Sequence, residues 1–486
     1  MKIATAMQMN AVDDALIHQY GYSIYELVEM ASQHLLEEMP KRKSYLLLAG
    51  PGNNGADALS LAKRLIEDGK EVYVQLFYFE HANSTVQHFY ELIKDQVIFV
   101  ERWVDTEVVV DGIFGNGLSR ALDKDLQRYL QQINQLDGIH IAIDSPTGIN
   151  ATTGAMQSVC FQAEKTVTFM CYKLAMMNQD LRKWFGTITV KTFGIEQEVL
   201  EHSLIADAID QNVISSFFKR RKNHDHKGVN GKITHFTGSR EYTGAACLAS
   251  LASVYSGSGI VRVCSDDYVL QQVKIHNLEA ITLDKSLFSA KMLEGQQALL
   301  CGCGCGWTDS TRQMIRCLIK ESKVPLVIDA DGINVISEHP EWLLEKQCPI
   351  ILTPHLGEFA RLCPEMDDLE TAIQTFAERY DVIMVVKGPN TIVYGDHRFY
   401  RNTTGNPGMA TAGMGDALAG MISSFCGQGY EPLLAAQLGV YLHGLCGDQL
   451  YLDHYTVLPH RLIEKIPEMM KRLSNEKDID WDNKSL

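Results

Sequence analysis

No stretch of the 486 residues is apolar for long enough to cross a bilayer, so no membrane-spanning helix is expected. The opening residues, MKIATAMQMNAVDDALIHQYGYS, carry Asp13 and Asp14 where an exported chain would be apolar; no signal peptide is read there, and the expected location is cytoplasmic. Basic residues are in deficit: 44 Lys and Arg stand against 60 Asp and Glu, a formal net charge of −16. That balance excludes nucleic acid and anionic membrane as expected partners. Anionic small molecules would need local positive sites. Short internal repeats are missing. Missing too is a G-x-G-x-x-G strand–turn–helix unit with an acid further on, which argues against a dehydrogenase of the dinucleotide-binding type. The twelve cysteines are scattered among apolar segments, which suits buried reduced thiols. Cys301, Cys303 and Cys305 alternate with glycine, whereas structural zinc sites favour about two to four intervening residues and a second cysteine pair. The glycines are the more telling residues of that run, since they let backbone approach a ligand.

What is present is a composition of 46% hydrophobic and 21% charged residues, that of a globular protein. The length exceeds one ordinary core, so two or three domains are expected. In the first part YLLLAG (45–50), EVYVQLF (71–77), VVVDGIFG (108–115), IHIAIDS (139–145), KTVTFM (165–170) and TITVKTFGI (187–195) read as strands. They lack polar alternation, as strands buried on both faces of a parallel sheet do. Between them, ADALSLAKRLIEDGK sets Ala58, Leu59, Ala62, Leu65 and Ile66 on one helical face, with Gly69 as the stop. Strand, Gly-rich turn and helix in repetition predict a doubly wound α/β domain. From about 196 to 226 the pattern breaks into the polar FFKRRKNHDHKG, a linker signal. A second alternating series then runs from GKITHFTGS to VLPHRLIEKIPEMMKRL. The expected division is a domain over 1–200, a linker over 201–223 and a domain over 224–486.

Three polar loops follow strands in the first domain: Gly50-Pro51-Gly52-Asn53-Asn54-Gly55-Ala56-Asp57-Ala58, which opens a helix; Asp111 with Gly115-Asn116-Gly117-Leu118-Ser119-Arg120; and Asp144-Ser145-Pro146-Thr147-Gly148. Ligands of such sheets sit at the carboxyl ends of the strands, where the loops converge. Taken alone, a Gly-rich turn is also what a plain strand–helix connection needs. Asn, carboxylate and hydroxyl together offer hard oxygen ligands for an alkali or alkaline-earth ion.

These motifs, with TAMQMNAVDDALIHQYGYSIYELVEMAS before them, resemble the NAD(P)H-hydrate epimerase family over about residues 1–200. The resemblance implies a Rossmann-like αβα sandwich that interconverts the two C6 epimers of hydrated NADH or NADPH. It implies substrate contacts from Asn53, Asn54, Gly55, Ala56 and Asp57, from Gly115, Asn116, Gly117, Leu118, Ser119, Arg120 and Ala121, and from Asp144. It implies a potassium ion on Asn54, Asp111 and Thr147. The family's usual NNGGDG is replaced by Asn53-Asn54-Gly55-Ala56-Asp57-Ala58, and its usual Ser by Thr147. A Cβ at 56 is costly if that residue needs positive φ or a close ligand approach. Asp144, at a strand end, is the candidate acid/base for the carbon beside ring N1; its alternative is a turn cap.

In the second part HFTGSREYTGAACLAS (235–250), ALLCGCGCGW (298–307), ILTPHLGEFARL (351–362) and VVKGPNTIVY (385–394) stand out. Lys387 leaves a strand beside a tight turn, where it can meet a phosphate. GNPGMATAGMGDALAG (405–420) places Asp416 at the start of an apolar helix, as a cap or as a base facing a bound anion. With HKGVNGKITHFTGS, GSGIVRV, VIDADGINVI and GVYLHGLCGD, these pieces resemble the ribokinase-like fold, in its ADP-dependent NAD(P)H-hydrate dehydratase branch, over about 224–475. Cys303 and Cys305 stand where that family usually has GPGLG. The resemblance implies substrate contacts from Ala245, Gly304, His355 and Asp416. It implies nucleotide contacts from Lys387, Gly388, Pro389, Asn390, Thr391 and Gly415, with Mg²⁺ and ADP as co-substrate and Asp416 as catalytic base. For His355 a hydrogen-bonded strand-end role competes with substrate contact. The expected partners are hydrated NADH or NADPH and ADP or ATP, in a homo-oligomer. Two other readings stay open: a first domain that only binds the dinucleotide, and a ribokinase-like small-molecule kinase.

Overall fold

A computed structural model describes residues 1–118, 121–156, 159–194, 206–219, 221, 225–364 and 368–475. The chain divides into two compact units, Met1–Ala206 and Asp207–Leu486.

The first unit is built on a seven-stranded sheet in the order Ile98–Phe99, Glu71–Leu76, Ser44–Ala49, Val108–Gly112, Ile139–Ile143, Lys165–Phe169, Thr187–Lys191. Every neighbouring pair is parallel. Successive residues of the central strands feed opposite cores. Tyr45, Leu47, Val108, Val110 and Ile141 pack on one face, and Leu46, Leu48, Val109 and Ala142 on the other. This is why their sequence shows no polar alternation. The helix Asn53–Glu67 buries Ala58, Leu59, Leu61, Ala62 and Leu65, while Gly69, at φ +74°, closes it. The strand order reverses direction at Ser44–Ala49 and Val108–Gly112, the point where a doubly wound sheet opens its ligand crevice.

In the second unit seven parallel strands run in the order Ile281–Asp284, Ile260–Ser265, Lys232–Phe236, Ala298–Cys301, Leu326–Ile328, Ile350–Leu352, Ile383–Val386. Ile392–Gly395 and Arg398–Asn402 continue the sheet antiparallel. Again alternate residues divide between two cores: Ile233, Leu300, Val327, Ile351 and Val385 on one side, Phe236, Leu299, Ile328, Leu352 and Val386 on the other. The long apolar helices Met414–Gly427 and Pro432–Tyr451 fill the first of these cores.

Part of the stretch expected as linker, 201–223, is regular structure. Asp207–Ile209 pairs in parallel with Tyr400–Asn402, and the helix Gln211–Phe217 follows, with the Asp210 carboxylate accepting from the Val213 N–H. Ile209, Ile214 and Phe218 are buried in the second unit's core. The apolar run there is short and its polar flank hides it. None of the twelve cysteines forms a disulfide in the structure and none is exposed. No helix of the described residues is long and apolar enough to cross a membrane.

Candidate active sites

In the first unit a cavity of about 430 Å³ opens at the carboxyl ends of the strands. Asn53, Asn54, Asp57, Gly115, Asn116, Gly117 and Asp144 line it, so the three polar loops do converge. Their convergence has a steric basis. A Cβ on Gly50 would lie 1.8 Å from the Ile113 carbonyl oxygen, and one on Gly55 would lie 1.9 Å from the Gly50 carbonyl oxygen. A Cβ on Gly115 would crowd both Asn54 Oδ1 (3.0 Å) and Asp144 Oδ2 (3.3 Å), which locates these two side chains around one point of the cavity floor. Ala56 and Ala58 are fully buried, and both lie inside the helix Asn53–Glu67. Neither has a positive φ and neither lines the cavity. The two Gly-to-Ala departures therefore fall on the core side of the loop. Leu118 is packed in the core and Ala121 is exposed outside the cavity lining. Ser119 and Arg120 lie outside the described residues.

Asp111 and Thr147 are fully buried and bonded to each other. Asp111 accepts from the Thr147 hydroxyl at 2.8 Å and the Thr147 N–H at 2.7 Å, and the Ile113 N–H donates to it at 3.1 Å. Burial pushes Asp111 up to about 6 against those three hydrogen bonds. The amide nitrogen of Asn54 is buried with no partner.

Asp144 sits at φ +62°, a left-handed backbone that costs a residue with a Cβ roughly 1–2 kcal/mol. Its Oδ1 pairs with the ammonium of Lys173 at 2.8 Å and accepts from the Thr168 hydroxyl at 2.8 Å. Asp13, from the helix Ala6–His18, and Asp57 face the same cavity. Sequence reading missed Asp13 and Lys173 as site residues. Lys173 follows the last buried strand but one, and only the fold turns it back toward Asp144.

In the second unit Asp416 stands in the first turn of the helix Met414–Gly427, entered through Gly413 at φ +94°. Burial pushes its carboxyl up to about 7; Asp329 adds to the rise, while Lys387 and a hydrogen bond from Cys303 oppose it. Lys387 leaves the strand Ile383–Val386, and its ammonium pairs with Asp329 at 2.6 Å. A Cβ on Gly415 would stand 3.1 Å from that ammonium, so Gly415, Lys387 and Asp416 meet. Asp329 is also held by the Thr353 hydroxyl at 2.8 Å and faced by the Cys303 thiol at 3.7 Å. Cys303, Asp329 and Asp416 bring ligand atoms within 4.8 Å of one another.

Gly304, at φ +60°, lies against Ala245; a Cβ there would meet the Ala245 Cβ at 2.8 Å. His355 caps the helix Leu356–Leu362: its Nδ1 accepts from the Glu358 N–H at 3.0 Å, and Glu358 accepts from the His355 N–H at 2.8 Å. The hydrogen-bonded strand-end role is thus realised, and over half of the ring stays exposed. Gly388 and Pro389 are exposed beyond Lys387. The Thr391 hydroxyl donates to the Gly388 carbonyl at 3.2 Å, and Asn390 keeps a buried, unpartnered Oδ1. Asp329, Glu358 and His443 were not singled out from sequence as site residues. Glu358 lies 3.9 Å from the Lys387 ammonium, and burial raises its pKa. His443 has an unpartnered buried Nε2, and burial pushes it down to about 4, so it is neutral.

Two doubly wound units, each with acids gathered at the carboxyl ends of its strands, define a two-site α/β enzyme. Residues 14–175 match the family described as YjeF-related protein N-terminus, and residues 235–468 the family described as NAD(P)H-hydrate dehydratase. The chain is 29% identical to the bifunctional NAD(P)H-hydrate repair enzyme Nnr of Moorella thermoacetica, over 98% of each chain. It is 31% identical to the Vibrio cholerae protein of that name, over 71% of this chain and 70% of the other. Among solved structures it is similar to a ribokinase-like superfamily protein of Enterococcus faecalis, with TM-score 0.52 and 26% identity over 55% of this chain and 96% of that one. A Streptococcus mutans protein also matches, with TM-score 0.52 and 30% identity over 55% of this chain and 99% of that one. The chain belongs to the family of bifunctional NAD(P)H-hydrate repair enzymes.

Proposed function

We propose that the first unit interconverts the R and S forms of hydrated NADH and NADPH at C6, and that the second dehydrates the S form with ADP, releasing AMP and phosphate. The observation that carries this reading is Asp416, a carboxyl with a pKa raised to about 7 at a helix N-terminus beside the Lys387–Asp329 pair. A base near neutrality next to a phosphate-binding cation suits proton removal from an attacking hydroxyl.

In the second unit Asp416 takes the proton of the C6 hydroxyl. That oxygen forms a bond to the terminal phosphorus of ADP as the bond to AMP breaks. Lys387 and the N–H groups of the helix meet the charge that develops on the phosphoryl oxygens. The N1 lone pair then expels the phosphate from C6, and loss of a C5 proton restores the reduced nicotinamide. Gly304 and Ala245 form the wall against which the dinucleotide lies, with the exposed ring of His355 on another side. Gly388 to Thr391 take the nucleotide. A Mg²⁺ would be held by the carboxylate of Asp329, beside the base Asp416, and would supply positive charge for the transferring phosphoryl group.

In the first unit Asp144 is the acid/base, and the loops of Asn53–Asp57 and Gly115–Gly117 hold the substrate. A potassium ion would be held by the amide oxygen of Asn54, the carboxylate of Asp111 and the hydroxyl of Thr147, hard oxygen ligands of which Asp111 and Thr147 are already bonded to each other. When bound, it supplies fixed positive charge near the dinucleotide phosphates. The core-side placement of Ala56 and Ala58 supports an active first unit rather than one that only binds. The setting is the cytoplasm, with small-molecule partners, in a homo-oligomer.

The test incubates both epimers of hydrated NADH with the full chain and ADP or ATP, and follows reduced-nicotinamide absorbance. Complete, biphasic recovery is the expected result. A stable phosphorylated product would instead mark a small-molecule kinase.

A further inference from the structure

Lys173 is a fully buried ammonium in a cavity that otherwise gathers acids. It is 1% exposed. Besides Asp144 Oδ1 at 2.8 Å, it donates to the Thr168 hydroxyl at 2.8 Å and the Phe169 carbonyl at 3.2 Å. Thr168 in turn donates to the same Asp144 oxygen, so ammonium, hydroxyl and carboxylate form a closed triangle. Two more carboxyls line the cavity: Asp57 from the helix Asn53–Glu67 and Asp13 from the helix Ala6–His18. Other titratable groups act on them: Asp14, which adds to the rise of Asp13, and the Cys171 thiol, which burial pushes up to about 11 and keeps neutral. Lys173 makes its contact ion pair with Asp144 and attracts Asp13 more weakly, while Asp57 is acted on by burial and by the other two acids.

We propose that Lys173 is a positioning residue that divides the roles of these acids: it holds Asp144 as the carboxylate that accepts a proton, and leaves Asp57 as the carboxyl that donates one. This rests on the epimerase reading above and assigns two residues to it. Burial pushes Asp57 well above the usual carboxylate range, and the Asp144 and Asp13 carboxylates push the same way. Asp13 is raised to about 6, burial outweighing the attraction of Lys173. Unlike environments for neighbouring carboxyls are how one site holds both an acid and a base at neutral pH.

The step balances. Asp57 gives its proton to the C6 oxygen, the C6–O bond breaks, and the N1 lone pair closes a planar iminium beside the released water. Water adds to the other face of C6 and yields a proton to Asp144. That proton returns to Asp57, and nothing is oxidised or reduced.

The experiment follows conversion of purified R epimer to S by the full chain without ADP, so that dehydration does not compete. Binding of hydrated NADPH is measured separately by calorimetry. The expected result for Lys173→Met is a turnover lower by about 10²-fold or more with affinity within about threefold. Added ethylammonium, which can refill the space of the missing side-chain cation, restores part of the loss. Asp57→Asn loses turnover to a similar extent, and Asp57→Glu recovers part of it. Where Met at the buried position prevents folding, the Asp57 pair carries the test: equal turnover in Asp57→Asn and the wild type overturns the proposal. So does a Lys173→Met protein that turns over like the wild type, or one whose turnover and affinity fall together and that ethylammonium does not rescue. A wild-type chain that leaves the R epimer unchanged overturns the epimerase reading and this inference with it.

Discussion

Asp416 is one carboxyl whose surroundings raise it into the range that the proposed base needs. Burial raises it, the neighbouring Asp329 raises it further, and Lys387 limits the rise, leaving it at about 7. A base works only when ionised. Dehydration by the second unit should therefore fall as pH drops through about 7, with a single-proton slope in kcat/KM. Asp416→Asn keeps the shape and removes the base, so turnover should fall by about 10²–10⁴-fold while affinity for the hydrated dinucleotide stays near that of the wild type. Stopped-flow turnover across pH checks both. Asp416, Lys387 and the glycines around them were legible in the sequence because their neighbours are contiguous in the chain. Asp329, Asp13 and Lys173 were not. Each acts through a partner that only folding supplies: Asp329 through Lys387, 58 residues away, Asp13 and Lys173 through Asp144.

At the scale of the element, the strand that ends at Ala49 and the helix that begins at Asn53 show what the first Gly-rich loop needs. The requirement is for close approach at Gly50 and Gly55 rather than for glycine throughout. Gly55→Ala drives a Cβ to 1.9 Å from the Gly50 carbonyl oxygen, and overpacking of this kind costs typically 1–3 kcal/mol, about the upper end here because backbone must move. Ala56→Gly runs the other way. The position is helical and buried, so glycine should destabilise by about 1 kcal/mol and leave epimerisation within a few fold. Denaturant titration of both variants, with an epimerisation assay, checks the pair. The sequence was informative about strand cores, since residues such as Leu46, Leu47 and Leu48 are apolar on both faces. Strand ends were less legible. The run read as 187–195 ends at Lys191, and the short Asp207–Ile209 strand was read as linker, because three or four residues carry too little periodicity to stand out beside a basic flank.

At the scale of the whole molecule, two doubly wound units carry two unlike sites. The first joins Asp144 to Lys173; the second sets Asp416 beside Lys387 and Asp329. The chemistry explains the fusion: a dehydratase that accepts one epimer leaves the other behind unless a second site converts it. Each site should then fail alone. Asp416→Asn should leave epimerisation at the wild-type rate, and Asp144→Asn should leave dehydration of pure S epimer at the wild-type rate. The central claim, two activities in one chain, is tested most directly by giving excess ADP and an equal mixture of the epimers to the wild type and to Asp144→Asn, and following recovery of reduced nicotinamide to completion. The expected result is full, two-phase recovery by the wild type and arrest of Asp144→Asn after the S share, with only spontaneous conversion beyond it. Arrest of the wild type at the S share, or full recovery by Asp144→Asn at the wild-type rate, would contradict it.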